Sequence, residues 1–101
     1  MSEYHEYMSP PKGIPVELHD ALTEGERALL RDFLVRLREA EAKHPVFAEG
    51  PWQGLGFLQE EVGELVRATT HNEGEERMYD EALDVLCTAF RFARKDWKRE
   101  A

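Results

Sequence analysis

The stretch that decides the fold is Phe57 to Arg91, FLQEEVGELVRATTHNEGEERMYDEALDVLCTAFR. It reads as two acidic helical segments joined by the short polar linker His71-Asn72-Glu73-Gly74. Residues three apart on a helix share a side, with β-carbons about 5 to 6 Å apart. Glu61 and Glu64 therefore form one carboxylate pair, and Glu81 and Asp84 form another. A linker this short folds the second segment back antiparallel on the first, so that four carboxylates face one another across a helical hairpin. In a partly dry groove such a cluster raises its own pKa values by like-charge repulsion and desolvation unless a cation sits in it. The matching occupant is a hard, oxygen-seeking divalent ion, Mg²⁺ or Mn²⁺.

Outward from this hairpin, the sequence predicts an all-α protein. Thr23 and Glu26 form a capping box, and a helix is expected from Glu24 to about Lys43, with Leu30, Phe33, Leu34, Leu37 and Ala40 as its apolar stripe. The segment HPVFAEGPWQGLG breaks it, because Pro45, Gly50, Pro51, Gly54 and Gly56 oppose regular helix. A second helix should begin between residues 51 and 55, with Pro51 tolerated in its first turn, and end near His71. Its expected core face is Leu55, Leu58, Val62, Leu65 and Val66, with Glu61, Glu64 and Ala68 on a neighbouring stripe. Gly63, at mid-helix, costs about 1 kcal/mol against alanine and suggests a close helix neighbour. A third helix is expected from Glu75 to about Arg99, carrying the cluster Arg91, Arg94, Lys95, Lys98 and Arg99 near its end. Its middle is apolar on most sides, which predicts cover on most sides. Three helices of one chain hardly supply that, so a homodimer or homotetramer is expected. Arg77, Glu81, Asp84, Thr88, Arg91 and Lys95 form a polar line that interrupts this surface.

With 101 residues the chain forms one small domain, of a size that buries about two-thirds of its unfolded surface. Residues 1–22, with Pro10, Pro11 and Pro15, read as an extended or weakly ordered lead, and residues 23–101 as the helical domain. The composition, 42% hydrophobic and 34% charged, suits neither a disordered chain nor a membrane protein. A formal charge of −8 argues against binding a nucleic-acid polymer through bulk charge. No basic start precedes an apolar run at the N-terminus, and the one cysteine, Cys87, falls in an apparently buried helix; the cytoplasm is the expected compartment.

The segments LQEEVGELVRA, Leu58 to Ala68, and YDEALDVLCTAFR, Tyr79 to Arg91, resemble the MazG-type all-α nucleoside triphosphate pyrophosphohydrolases. The family's hallmark is a Glu-x-x-Glu pair followed by Glu-x-x-Asp; Glu61 and Glu64 match the first and Glu81 and Asp84 the second, while Glu60 completes a Glu-Glu-x-x-Glu form. The resemblance covers residues 52 to 93, weakens over the first helix and is absent over residues 1–22.

It implies an antiparallel helical bundle completed by oligomerisation. The implied activity is Mg²⁺-dependent hydrolysis of an NTP or dNTP to the monophosphate and pyrophosphate, in nucleotide-pool housekeeping. An anionic triphosphate meets an acidic site through bridging metal ions, for which Glu61, Glu64, Glu81 and Asp84 are the expected ligands. Glu60, about 100° round the helix from Glu61, is expected to orient or deprotonate the attacking water, or else to be a solvated neighbour. Arg91 and Lys95 are candidate phosphate contacts or plain surface charges. Trp52, Gln53 and Phe57 precede the first acid pair, where related enzymes place base-contacting groups; the two aromatics are also candidates for the core.

A di-iron carboxylate bundle needs two Glu-x-x-His pairs, and the sequence offers one, Glu41 with His44. The remaining alternative is a non-catalytic helical oligomerisation module or a nucleotide-sensing regulatory module.

Overall fold

The structure, a computed structural model, describes residues 20–98. Among the described residues three helices follow one another: α1 (Glu24–Lys43), α2 (Pro51–Thr70) and α3 (Glu75–Ala93). The chain divides into two compact units, residues 1–30 and 31–101, so that α1 begins in the first and ends in the second. The expected lead over residues 1–22 falls, for residues 1–19, outside the described residues.

In the first unit the start of α1 is fixed as its sequence dictates. The Glu26 N–H donates to Thr23 Oγ1 at 3.0 Å, and the Thr23 N–H donates to Glu26 Oε1 at 2.8 Å. This reciprocal pair satisfies two backbone donors that a helix start leaves open.

The second unit holds the α2–α3 hairpin and the rest of α1. The linker turns where Asn72 takes φ 54° and Gly74 φ 105°, left-handed conformations that asparagine and glycine tolerate best. The two helices pack directly on each other. Leu37, Ala48, Ala68, Leu83 and Cys87 are buried between the elements. Phe33 of α1 meets Phe90 of α3 edge to face, 5.3 Å between centroids, and Tyr79 donates its hydroxyl to Asp32 at 2.6 Å.

The inward face of α2 is not the expected one. Leu55, Val62 and Val66 are exposed, while Gly54 and Ala68 are buried and Leu58, Glu61 and Leu65 half-buried. Residues 54, 58, 61, 65 and 68 recur at helical spacing, so Glu61 lies in the seam against α3 rather than beside it. On α1, Leu30 and Leu34 likewise remain exposed. Gly63 has no neighbour within 4 Å of where a β-carbon would stand; Gly54 is the glycine that packing requires, its hypothetical β-carbon lying 2.8 Å from Trp97 and 3.0 Å from Phe47.

The third helix ends at Ala93, six residues short of Arg99. Lys95 turns the chain with φ 60°, and the strand-like tail comes back beside residues 47 and 48. The Phe47 N–H donates to the Asp96 carbonyl at 3.2 Å and the Lys98 N–H to the Ala48 carbonyl at 2.8 Å, around a parallel bridge between Ala48 and Trp97. Two effects outweigh continued helix here. Arg91 and Arg94 both hold the Asp96 carboxylate, at 3.1 and 2.6 Å, and Trp97 packs on Phe47 and Phe92. Lys95 and Lys98 therefore lie beyond the helix whose end they were expected to line.

A candidate metal centre beside a two-aromatic cavity

Placed in the seam, Glu61 of α2 faces Glu81 and Asp84, one turn apart on α3. One carboxylate oxygen of each lies within 4.8 Å of the others, a separation that a single small cation can bridge. Glu81 is 3% exposed, Glu61 and Asp84 half-buried. Their partners differ. Arg77 reaches Glu81 Oε2 at 2.7 Å from the preceding turn of α3. Arg36 of α1 reaches Asp84 Oδ1 at 2.7 Å. Glu61 Oε2 is shielded from solvent and has no hydrogen-bond partner.

A shielded carboxylate oxygen without a donor is costly when charged. Burial, and then the nearby charges of Glu64, Asp84, Glu81 and Glu60, push the Glu61 pKa up to about 7. The donor set is all oxygen, carries excess negative charge and leaves one oxygen unanswered, so it suits a hard dication and not a thiol-seeking one. Glu64, the fourth expected ligand, is half-buried one turn beyond Glu61 but is not among the three that converge.

Beside these acids opens a cavity of about 480 Å³, which Glu61 and Asp84 help to line. Phe47 and Phe57 form its aromatic side, edge to face at 5.8 Å. Ala40, Cys87 and Thr88 line it from α1 and α3, Arg36 and Lys43 bring cationic groups from α1, and the His44 imidazole follows at its end. Glu60, exposed on α2, is also at its wall. Burial, followed by the charge of Asp84, pushes the Cys87 thiol up to about 11, so it stays protonated and unreactive.

The residues expected to touch substrate divide. Phe57 and Arg91 line this cavity. Arg91 is buried, and its guanidinium is committed to Asp96 at 3.1 Å and to the carbonyls of Ala40 and Pro45 at 3.5 and 3.3 Å, beneath the Phe47 ring. Trp52 stands 85% exposed, away from the cavity wall. Gln53 accepts the Glu49 N–H at 2.8 Å and so steadies the start of α2. Lys95 does not line this cavity but a separate groove with Glu41 and Asp96.

Arg36, Lys43 and Phe47 escaped the sequence reading. Arg36 had one visible sign, its place between Phe33, Leu37 and Ala40 on the inward side of α1; Phe47 lay inside a segment that looked like mere punctuation. Comparison with known protein families, with curated proteins and with solved structures finds no match to this chain. Among the described residues no helix is long and apolar enough to cross a membrane.

Proposed function

We propose that the chain is a metal-dependent nucleoside triphosphate pyrophosphohydrolase of the MazG-like kind, converting an NTP or dNTP to the monophosphate and pyrophosphate. One observation carries this reading: three carboxylate oxygens from α2 and α3 converge within 4.8 Å, and the Glu61 oxygen among these acids is shielded and unpartnered. Glu61, Glu81 and Asp84 would hold Mg²⁺ or Mn²⁺, and Glu64, one turn along α2, would add its negative charge nearby. The ion's contribution when bound is charge neutralisation on the polyphosphate and activation of water.

This chain's residues supply the remainder. Phe57 and Phe47 offer apolar ring surface to a nucleobase, which gains by leaving water on one face while its edges stay free for hydrogen bonds. Lys43 brings a cationic group and His44 an imidazole donor to the polyphosphate at the same cavity. Glu60, on the wall and next to Glu61 in sequence, orients the attacking water and accepts its proton.

The test is a panel of ribo- and deoxynucleoside triphosphates with Mg²⁺, assayed for both pyrophosphate and orthophosphate. Pyrophosphate with the matching monophosphate is expected. Orthophosphate alone puts scission at the other anhydride and overturns the reading.

The proposed assembly is a homodimer or homotetramer. Trp52, Leu55, Val62 and Val66 are exposed on the outward side of α2, and Leu86 and Phe90 are exposed on α3. Exposed apolar side chains in that number on a small domain favour association, and a second copy presents the same side chains in return. They also fit the oligomerisation module that is the alternative reading. Sedimentation should show a species of at least twice 11.7 kDa at micromolar concentration; a monomer at all concentrations refutes the assembly.

A further inference from the structure

Arg36 stands where two functions meet. It leaves the inward face of α1 and crosses to α3, where Nη1 lies 2.7 Å from Asp84 Oδ1 and 3.3 Å from the Asp80 carbonyl oxygen. Nη2 lies 3.3 Å from Asp80 Oδ1. Its side chain is 30% exposed and lines the cavity together with Lys43, His44, Phe47 and Phe57. Resting on the metal-dependent reading above, we infer that Arg36 is a phosphate-binding residue that Asp84 holds in reserve, released toward a polyphosphate in the cavity once a divalent cation claims Asp84.

Competition for one carboxylate is the physical reason. Three acids converge in the seam, and two guanidiniums, those of Arg36 and Arg77, already answer two of them. A dication that takes Asp84 competes with the guanidinium for the same carboxylate, so the Arg36 contact at 2.7 Å weakens as the ion binds. Arg77 has Glu73 in reach at 3.6 Å as a second anchor on its own helix. The second anchor of Arg36, Asp80, lies at 3.3 Å and is 46% exposed, so it steadies the guanidinium when Asp84 is given up. Of the two, Arg36 opens onto the cavity. A planar fork suits phosphate oxygens as well as it suits a carboxylate. The exchange also makes binding ordered: without metal Asp84 holds Arg36, and the cavity presents less positive charge to a polyphosphate.

The experiment is calorimetric titration of Mn²⁺ alone into the wild-type chain and into R36Q and R36K. Tripolyphosphate is then titrated into each at saturating Mn²⁺, with helical content checked by circular dichroism. Losing the competing guanidinium should let R36Q bind Mn²⁺ about tenfold more tightly and tripolyphosphate about tenfold more weakly, the scale of one charge-assisted bond. R36K keeps the charge without the fork and should fall between, about threefold from wild type in each titration. Should R36Q fail to fold, that intermediate shift in R36K carries the comparison. Mn²⁺ affinity equal to or weaker than wild type in the folded variant, or unchanged tripolyphosphate affinity, makes Arg36 a structural tie between α1 and α3 and overturns the inference. A wild-type chain that takes up no Mn²⁺ instead removes the metal-dependent reading and this inference with it.

Discussion

Two charged clusters in the second unit are built on opposite terms. In one, Arg91, Arg94, Asp96 and Glu41 close on each other. Arg94 holds Glu41 at 2.7 Å and Asp96 at 2.6 Å, and Arg91 completes the group. Burial alone would raise the Asp96 pKa, but hydrogen bonds from Arg94 and Arg91 outweigh it and bring it below the ordinary value. In the other, Glu61, Glu81 and Asp84 converge with one carboxylate unanswered, and the Glu61 pKa moves the opposite way. A buried charge with partners already in place fixes a fold; one left short of a partner is set out for something that arrives later.

The largest expected break in this contrast is D84N. Removing a ligand charge from the acidic cluster should cut turnover about a thousandfold or more while the helical content stays that of the wild type, measured as pyrophosphate release beside far-ultraviolet circular dichroism. Turnover within tenfold of wild type would remove Asp84 from the site.

The next largest is R91M in the balanced cluster. It strands the carbonyls of Ala40 and Pro45 and half of the Asp96 pairing, and should lower stability by about 3 kcal/mol, read as a shifted urea midpoint at constant slope. Stabilisation by Mn²⁺ should survive in this variant. A variant that melts like the wild type yet no longer responds to Mn²⁺ would reverse the roles assigned to the two clusters.

The smallest sharpens the acidic cluster through pH. Glu61 is raised from its ordinary 4.5 to about 7, so the folded state holds this proton more tightly than the unfolded chain. Its contribution to stability is fully present below pH 4.5 and is lost as pH rises through about 7. In chelator, the wild type should lose about 1 to 2 kcal/mol more than E61Q between about pH 5 and about pH 8, allowing for solvent screening. Mn²⁺ at the higher pH should restore the wild type and leave E61Q unmoved. Parallel pH profiles for the two chains would show that Glu61 is not strained.

Helix α1, the start of α2 and the turn at Asn72 and Gly74 were legible because local chemistry decides them: a capping box, a proline in a first turn, left-handed residues in a short linker. The convergence of Glu61 with Glu81 and Asp84 was legible for a related reason, since helical spacing and a short turn leave few arrangements. The orientation of α2 was not. Its residues at 55, 62 and 66 are as apolar as its inward ones, and periodicity cannot rank two apolar faces; Gly54, the residue that admits Trp97, decides instead, through a contact distant in sequence. The end of α3 was hidden likewise, because nothing near Lys95 forbids helix. What stops it is Asp96 and Trp97 finding partners at Arg91, Arg94 and Phe47. Arg36 was missed because its partners lie 44 and 48 residues away.

Because α2 carries an acid of the seam at residue 61 and an apolar residue of its outward side at 62, its two surfaces are locked in phase. Deleting or inserting one residue between Gly54 and Glu61 would turn everything beyond it by about 100°, swinging the carboxylate into solvent and an aliphatic side chain into its place. Such a helix tolerates conservative replacement along its length but not a change in that length.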